Sequence, residues 1–370
     1  MNPPFRCGTV EGFFGRQWSW LARQDHASFL AAQQFTTYLY APKNDDYLRK
    51  QWFMPYPDST FTELKSLARH CASLGIEFGV GLSPFELYRD FSATKRDLLL
   101  RKLEQLNQLQ APLLAVLFDD MLGELPGLAT TQLQIFDCIS RHSNAEKFVL
   151  CPTYYSSDPL LVKHFGEQPE HYLEQLGQAL PAEVDVLWTG PRVISHSYPR
   201  DHLLEIGAKL QRKPLLWDNY PVNDAKRLTA FLHLQPFDQR GQSKNPKAGA
   251  LLNQDEVFTL TPIRELCSGL LANPMNQAYL SQIPLASLAA LYQQAVPGKC
   301  SLAAVVTNPH VLAQLAQDSE RFQWQGLVQF DAAEKSRLLA LYQQWLPDPM
   351  AQEVCAWLEG GYAFDPACLT

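Results

Sequence analysis

The chain has 370 residues, 31 Lys+Arg against 38 Asp+Glu and a formal charge of -7; it is 46% hydrophobic and 19% charged. That apolar fraction excludes a mainly disordered chain, the acidic balance argues against a general nucleic-acid binder, and no apolar run approaches the roughly 18 residues of a membrane span. At roughly 150 residues per domain, the length suggests two or three domains, or one α/β barrel with an appendage.

From the N-terminus, short apolar runs alternate with amphipathic stretches. Cys7 to Phe14 reads as a strand and Trp20 to Gln34 as a helix. Thr36 to Ala41 is β-branched and aromatic, a second strand, and Phe61 to Leu74 is helical, with Gly75 where a C-cap belongs. A third strand is expected at Glu77 to Leu82 and a periodic helix at Thr94 to Leu109. Leu113 to Phe118 is almost continuously apolar, as expected of a strand buried on both faces. The pattern then repeats four times. Helix Thr131 to Ser140 leads to strand Lys147 to Cys151, helix His171 to Leu180 to strand Val184 to Trp188, and helix Asp201 to Leu210 to strand Pro214 to Trp217. Helix Ala225 to Leu234 leads to strand Ala248 to Leu252, which is followed by helix Pro262 to Leu271.

Eight strand-helix pairs in about 270 residues predict an α/β fold of the (β/α)8 TIM-barrel type. A doubly wound sheet is the rival, but no Gly-rich phosphate loop follows the first strand. After Pro274 only helices are expected, at Leu285 to Ala295, Pro309 to Ala316, Ala332 to Trp345 and Ala351 to Leu358. The expected organisation is therefore a barrel over 1–275 followed by a small all-α C-terminal domain over 276–370.

The eight cysteines are scattered, with no CxxC, and read as reduced, mostly buried thiols. Met1-Asn2-Pro3-Pro4-Phe5-Arg6 has no apolar signal region, so a cytoplasmic location without a membrane anchor is expected. No predicted strand end carries His, and neither HExxH nor GxSxG occurs, so neither a metal centre nor a Ser-His-Asp hydrolase is expected, and no cofactor is implied.

Barrel active sites form just past the C-terminal ends of the strands. The residues there are Glu11 to Arg16, Tyr40 to Asp46, Asp119-Asp120, Tyr154-Tyr155, Trp188 to Pro191, Trp217-Asp218-Asn219 with Asn223-Asp224, and Asn253. Asp119-Asp120 is the sharpest feature. Two adjacent carboxylates leaving an apolar strand cost desolvation unless used or paired, and like charges this close push one pKa up, as a general acid requires. The plain alternative is a helix N-cap followed by an N-terminal acid. Tyr155, Trp217 and Trp188 beside Asn219, Asp224 and Lys43 make a carbohydrate-like lining, because sugar faces stack on aromatics and hydroxyls need polar partners. Trp188 could equally plug the barrel mouth. Asp218 reads as a structural ion-pair partner, and Lys43 is expected to point inward.

Taken together, these segments resemble family 84 glycoside hydrolases, the O-GlcNAcase family. The resemblance rests on Gly8-Thr9-Val10-Glu11-Gly12-Phe13-Phe14-Gly15-Arg16, Tyr38-Leu39-Tyr40-Ala41-Pro42-Lys43, Phe118-Asp119-Asp120, Cys151-Pro152-Thr153, Leu187-Trp188-Thr189-Gly190-Pro191, and Trp217-Asp218-Asn219 with Asn223-Asp224, in family order. It implies removal of terminal β-linked N-acetylglucosamine from a glycan, glycopeptide or glycoprotein, with retention, by substrate-assisted catalysis. By matching position, Asp119 is expected to orient the acetamido group and Asp120 to act as general acid and then base. Tyr155 is expected near the anomeric centre and Asn219 in support of Asp119. Gly12, Phe13, Lys43, Asp224 and Asn253 are expected to line the sugar, and Trp217 the acetamido pocket. Phe14 and Tyr154 depart from the family pattern, and Asn253 is followed by Gln254 rather than Pro. A non-catalytic glycan-binding barrel, or a hyaluronidase-like hydrolase of longer glycans, is the alternative.

Overall fold

The computed structural model describes residues 5–240, 258–294 and 308–364. Eight strands carry the core: β1 (Arg6–Glu11), β2 (Thr37–Tyr40), β3 (Glu77–Leu82), β4 (Leu113–Leu117), β5 (Lys147–Cys151), β6 (Asp185–Trp188), β7 (Leu215–Asp218) and β8 (Gly269–Ala272). They pair in parallel in sequence order and close into a barrel, with β8 between β7 and β1. The strands are buried along nearly their whole length, which explains why they read as apolar runs. At the β1–β2 seam the backbones lie so close that a Cβ on Gly8 would stand 1.9 Å from the Thr37 carbonyl oxygen. Only glycine allows that approach.

Helices return the chain between strands. Trp20–Ala32 starts at Ser19, whose side chain accepts from Ala22 N, and Asp58–Ser73 ends just before Gly75 in the left-handed region at φ +73°. Two segments differ from the expectation. The helix predicted at Ala225 to Leu234 is only a short 3-10 turn at Leu228–Ala230. There the Asn223 side chain donates to the Phe231 carbonyl at 3.0 Å, and Pro236 bars helical continuation. The eighth strand is also displaced. The strand expected at Ala248 to Leu252 lies outside the described residues, and β8 occupies the end of the stretch expected to be helical, behind a helix confined to Leu260–Leu266.

Beyond the helix Gln282–Gln294, the helices Pro309–Trp324, Gly326–Gln329, Ala332–Gln343 and Pro349–Leu358 pack around Phe322, Phe330, Tyr342 and Trp357. Asp331 and Asp348 cap the last two through their side chains. This bundle is tied to the barrel. Trp357 Nε1 donates to the Thr229 carbonyl at 3.1 Å, and the buried Glu353 carboxylate accepts the backbone N–H groups of Tyr279 and Leu280 beyond β8. The six described cysteines are free and buried. No helix among the described residues is long and apolar enough to cross a membrane.

Candidate active site

The C-terminal ends of the strands surround a cavity of about 390 Å³. Its polar floor comprises Gly12, Lys43, Asp119, Asp120, Tyr155, Trp217, Asn219, Asp224 and Asn273, and its wall includes Leu160, Leu161, Phe165, Val193 and Ile194.

The loop after β1 is fastened from several sides. Glu11, fully buried, accepts Arg23 Nη2 on Oε1 at 2.7 Å, Arg23 Nε on Oε2 at 3.1 Å and the Tyr38 hydroxyl at 2.5 Å, so it holds the first helix and β2 to β1 and does not line the cavity. Gly12 lies against the Trp217 ring: a Cβ there would be 2.2 Å from Trp217 Cζ2. Its N–H donates to Asn273 Oδ1 at 3.2 Å. Phe14 N donates to Asp224 Oδ2 at 2.8 Å, and the Phe14 carbonyl accepts from Asn276 Nδ2 at 2.8 Å. Phe14 lines the cavity, whereas Phe13 does not. The Phe13 side chain packs into a separate apolar cluster with Trp18, Ala22, Val222 and Ala278, which corrects its expected place against the sugar.

The acidic pair leaves β4 into the cavity. Lys43 Nζ pairs with Asp119 Oδ2, and both side chains are nearly fully buried. Asp119 Oδ1 is buried without a partner among the described residues. Asp120 sits at φ +55° and accepts the Tyr155 hydroxyl on Oδ1 at 2.8 Å. Burial, and then the neighbouring charge of Asp119, push the Asp120 carboxyl above the usual carboxylate range; Lys43, Arg49 and the Tyr155 bond oppose them. The two carboxylates therefore have unlike surroundings: Asp119 is paired with Lys43, whereas burial and the neighbouring charge shift Asp120 upward.

Trp217 Nε1 donates to Asn219 Oδ1 at 2.9 Å, and the same oxygen accepts Asn273 Nδ2 at 2.9 Å. Asn219 Nδ2 donates to the Val193 carbonyl. Asn219 therefore braces Trp217 and not Asp119; the residue bonded to Asp119 is Lys43. Asp224 is pushed up to about 6, first by burial, while the Phe14 N–H opposes the rise. Asp218 is spent on a buried pair with Arg240 at 2.6 Å, as its sequence context suggested. Trp188 is buried and donates to His202, outside the lining. Tyr154 turns away from the cavity, its hydroxyl donating to the Gly166 and Glu167 carbonyls.

Asn253 lies outside the described residues. At the end of β8 the structure puts Asn273, joined to Gly12 and Asn219. Sequence reasoning also missed Arg49, which grips the main chain of the acidic pair. A position just past the true eighth strand was the only signal available for Asn273. Among the described residues no group of three or more His, Cys, Asp or Glu side chains could hold a metal ion.

Two adjacent carboxylates beside Trp217 and Tyr155 at the strand-end rim define the class as a TIM-barrel protein with a pocket where barrel active sites form. The sequence matches the beta-N-acetylglucosaminidase family over residues 7–300, and the chain belongs to that family. Protein O-GlcNAcase of Mus musculus is 32% identical over 265 residues, a match covering 69% of this chain and 28% of the mouse protein, and that of Rattus norvegicus matches with the same figures. The chain thus spans little more than a quarter of the length of these relatives. Among solved structures, a mutant O-GlcNAc hydrolase of Thermobaculum terrenum shares the fold, with a TM-score of 0.67 and 24% identity over 98% of this chain and 76% of that one.

Proposed function

We propose that the chain is a retaining β-N-acetylglucosaminidase that removes terminal β-linked N-acetylglucosamine from a glycan, glycopeptide or glycoprotein, using the substrate's own acetamide as nucleophile. The observation that carries this reading is the unlike surroundings of Asp119 and Asp120. Asp119 is fixed by Lys43 yet keeps one buried oxygen without a partner among the described residues. Such an acceptor needs a donor, and the acetamido N–H is of the right kind.

In the first step Asp119 accepts that N–H, which makes the acetamido carbonyl oxygen a better nucleophile. The oxygen bonds to the anomeric carbon as the glycosidic C–O bond breaks. Asp120, favouring its proton, delivers it to the departing oxygen. In the second step the Asp120 carboxylate takes a proton from water, whose oxygen bonds to the anomeric carbon while the oxazoline C–O bond opens. Two inversions give retention. This chemistry departs from the two-carboxylate scheme, in which the second carboxylate is itself the nucleophile. Trp217 offers an apolar face to the acetamide or sugar, and Asp224 and Lys43 offer partners for hydroxyls.

The test is turnover of a panel of aryl N-acetylhexosaminides with the first-formed anomer followed by NMR. The β anomer of N-acetylglucosamine is expected. Asp120→Ala should lose most on poor leaving groups and least on activated aryl glycosides; Asp119→Ala should lose on both. Binding without turnover would point instead to a glycan-binding barrel, and preference for internal bonds of long glycans to a hyaluronidase-like hydrolase.

A further inference from the structure

Arg49 lies in the irregular segment after β2, outside every motif that pointed to the cavity. Its side chain is only 2% exposed. The groups it bonds are neutral oxygens. Nη1 donates to Ser83 Oγ at 3.0 Å and to the Asp119 carbonyl at 3.4 Å, and Nη2 donates to the Asp120 carbonyl at 3.0 Å. Nε is buried without a partner among the described residues. The rings of Phe14 and Phe85 lie 5.8 and 5.1 Å from the guanidinium carbon.

A guanidinium is costly to bury, and carbonyl dipoles alone compensate it poorly. The left-handed backbone of Asp120, at φ +55°, is likewise unfavourable for a residue with a Cβ, and it persists only where the surroundings over-determine it. One side chain answers both facts. The planar, pre-organised fork of arginine grips two consecutive carbonyls in a fixed geometry, which the compact ammonium of lysine on its flexible stem does not impose. Resting on the function proposed above, we infer that Arg49 is a positioning residue for the acidic pair: its fork holds Asp120 in the left-handed turn that aims its carboxyl into the cavity, and its charge lies behind that carboxyl.

Among the described residues, the groups that act on Asp120 are Asp119 beside it, Lys43 after β2, Tyr155 and Cys151 at the end of β5, Asp224 after β7, and Arg49 itself, and Asp158, His164 and Arg192 line the same cavity further out. Of the cations, Lys43 is already paired with Asp119. Removing the Arg49 charge therefore shifts Asp120 further toward its protonated form.

Two substitutions separate fork from charge. Arg49→Lys keeps the charge and loses the fork. It should lower kcat by on the order of 100-fold with little change in KM, and leave the basic limb of the kcat/KM pH profile where the wild type has it. Arg49→Gln loses both, so kcat should fall similarly and the basic limb move to higher pH. Ser83→Ala, which removes one anchor of the fork, should lower kcat by a smaller factor with the limb unmoved. Folding of each variant is checked by circular dichroism and melting. A folded Arg49→Gln whose basic limb stays at the wild-type pH overturns the inference, as does a folded Arg49→Lys with wild-type kcat. If neither Arg49 variant folds, Ser83→Ala decides: lower kcat at unchanged KM supports the inference, and wild-type kcat overturns it. Wild-type protein that does not turn over aryl N-acetylglucosaminides overturns the proposed function and this inference together, whereas active wild type with unaltered variants overturns the inference alone.

Discussion

Tyr155 donates its hydroxyl to Oδ1 of Asp120 over 2.8 Å, joining the segments that follow the neighbouring strands β5 and β4 at the cavity floor. The bond favours the ionised carboxylate and so tempers the rise that burial imposes on Asp120. Tyr155→Phe removes one charge-assisted bond, about 1.5–3 kcal/mol, so kcat should fall by roughly 10- to 100-fold. The basic limb of kcat/KM should move to higher pH, because Asp120 then releases its proton later. A pH-rate profile checks both; an unmoved limb would show that the bond does not reach the reacting carboxyl.

Asp224 supplies a second pH dependence. Burial lifts it to about 6, so its carboxylate is lost as pH falls through that value. If it accepts a sugar hydroxyl, KM should rise below about pH 6, by on the order of tenfold for a charge-assisted bond. Asp224→Asn should raise KM at neutral pH and abolish this dependence. A KM that is flat from pH 5 to 8 in the wild type would remove Asp224 from sugar binding.

Gly12 makes a steric prediction. Alanine there would put a methyl group 2.2 Å from Trp217 Cζ2, against a ring that is itself tied to Asn219 at 2.9 Å. Overpacking of this kind costs about 1–3 kcal/mol. Gly12→Ala should melt several degrees lower and bind N-acetylglucosamine more weakly, because Trp217 must tilt into the space proposed for the acetamide. Calorimetry and a sugar titration check this; unchanged values in both would mean that the contact is slack.

Glu353 links the helical bundle to the chain beyond β8. Burial pushes its carboxyl up from 4.5 to about 8, although the Leu280 and Tyr279 N–H groups oppose the shift. Between those values the folded state holds more protons than the unfolded state, so this group makes stability fall as pH rises through the window. The melting temperature should therefore drop from pH 5 to 9, and Glu353→Gln should flatten that part of the slope. Equal slopes for both proteins would contradict this.

Much of the fold was legible because a barrel strand buried on both faces leaves a plain apolar run. Leu113 to Phe118 is such a run, ending one residue before Asp119, and Phe148 to Cys151 is another, ending on the cavity lining at Cys151. The last strand was not legible. Gly269-Leu270-Leu271-Ala272 is too short for its period to separate strand from helix, and it follows Leu260–Leu266, whose helical pattern runs into it. Ala248 to Leu252, which lies outside the described residues, is a competing apolar run in sequence, whereas β8 ends at Ala272, just before Asn273. In the site, the acidic pair, Lys43, Tyr155 and Trp217 were legible from their strand ends. The partners of Asn219 were not, since a side-chain amide reaches whichever neighbour the folded rim supplies, and Arg49 carried no motif at all. Phe13 and Phe14 were indistinguishable in sequence; which of them faces the cavity depends on how the loop leaves β1.

In the proposed mechanism the acetamide of the substrate is the nucleophile, and its part is read from kcat/KM for aryl glucosaminides whose N-acyl group is acetyl, fluoroacetyl, difluoroacetyl or trifluoroacetyl. Fluorine withdraws electrons from the attacking carbonyl oxygen. Substrate assistance therefore predicts a steep, progressive loss of rate along the series, whereas a rate that stays flat would contradict it and require a nucleophile from the protein.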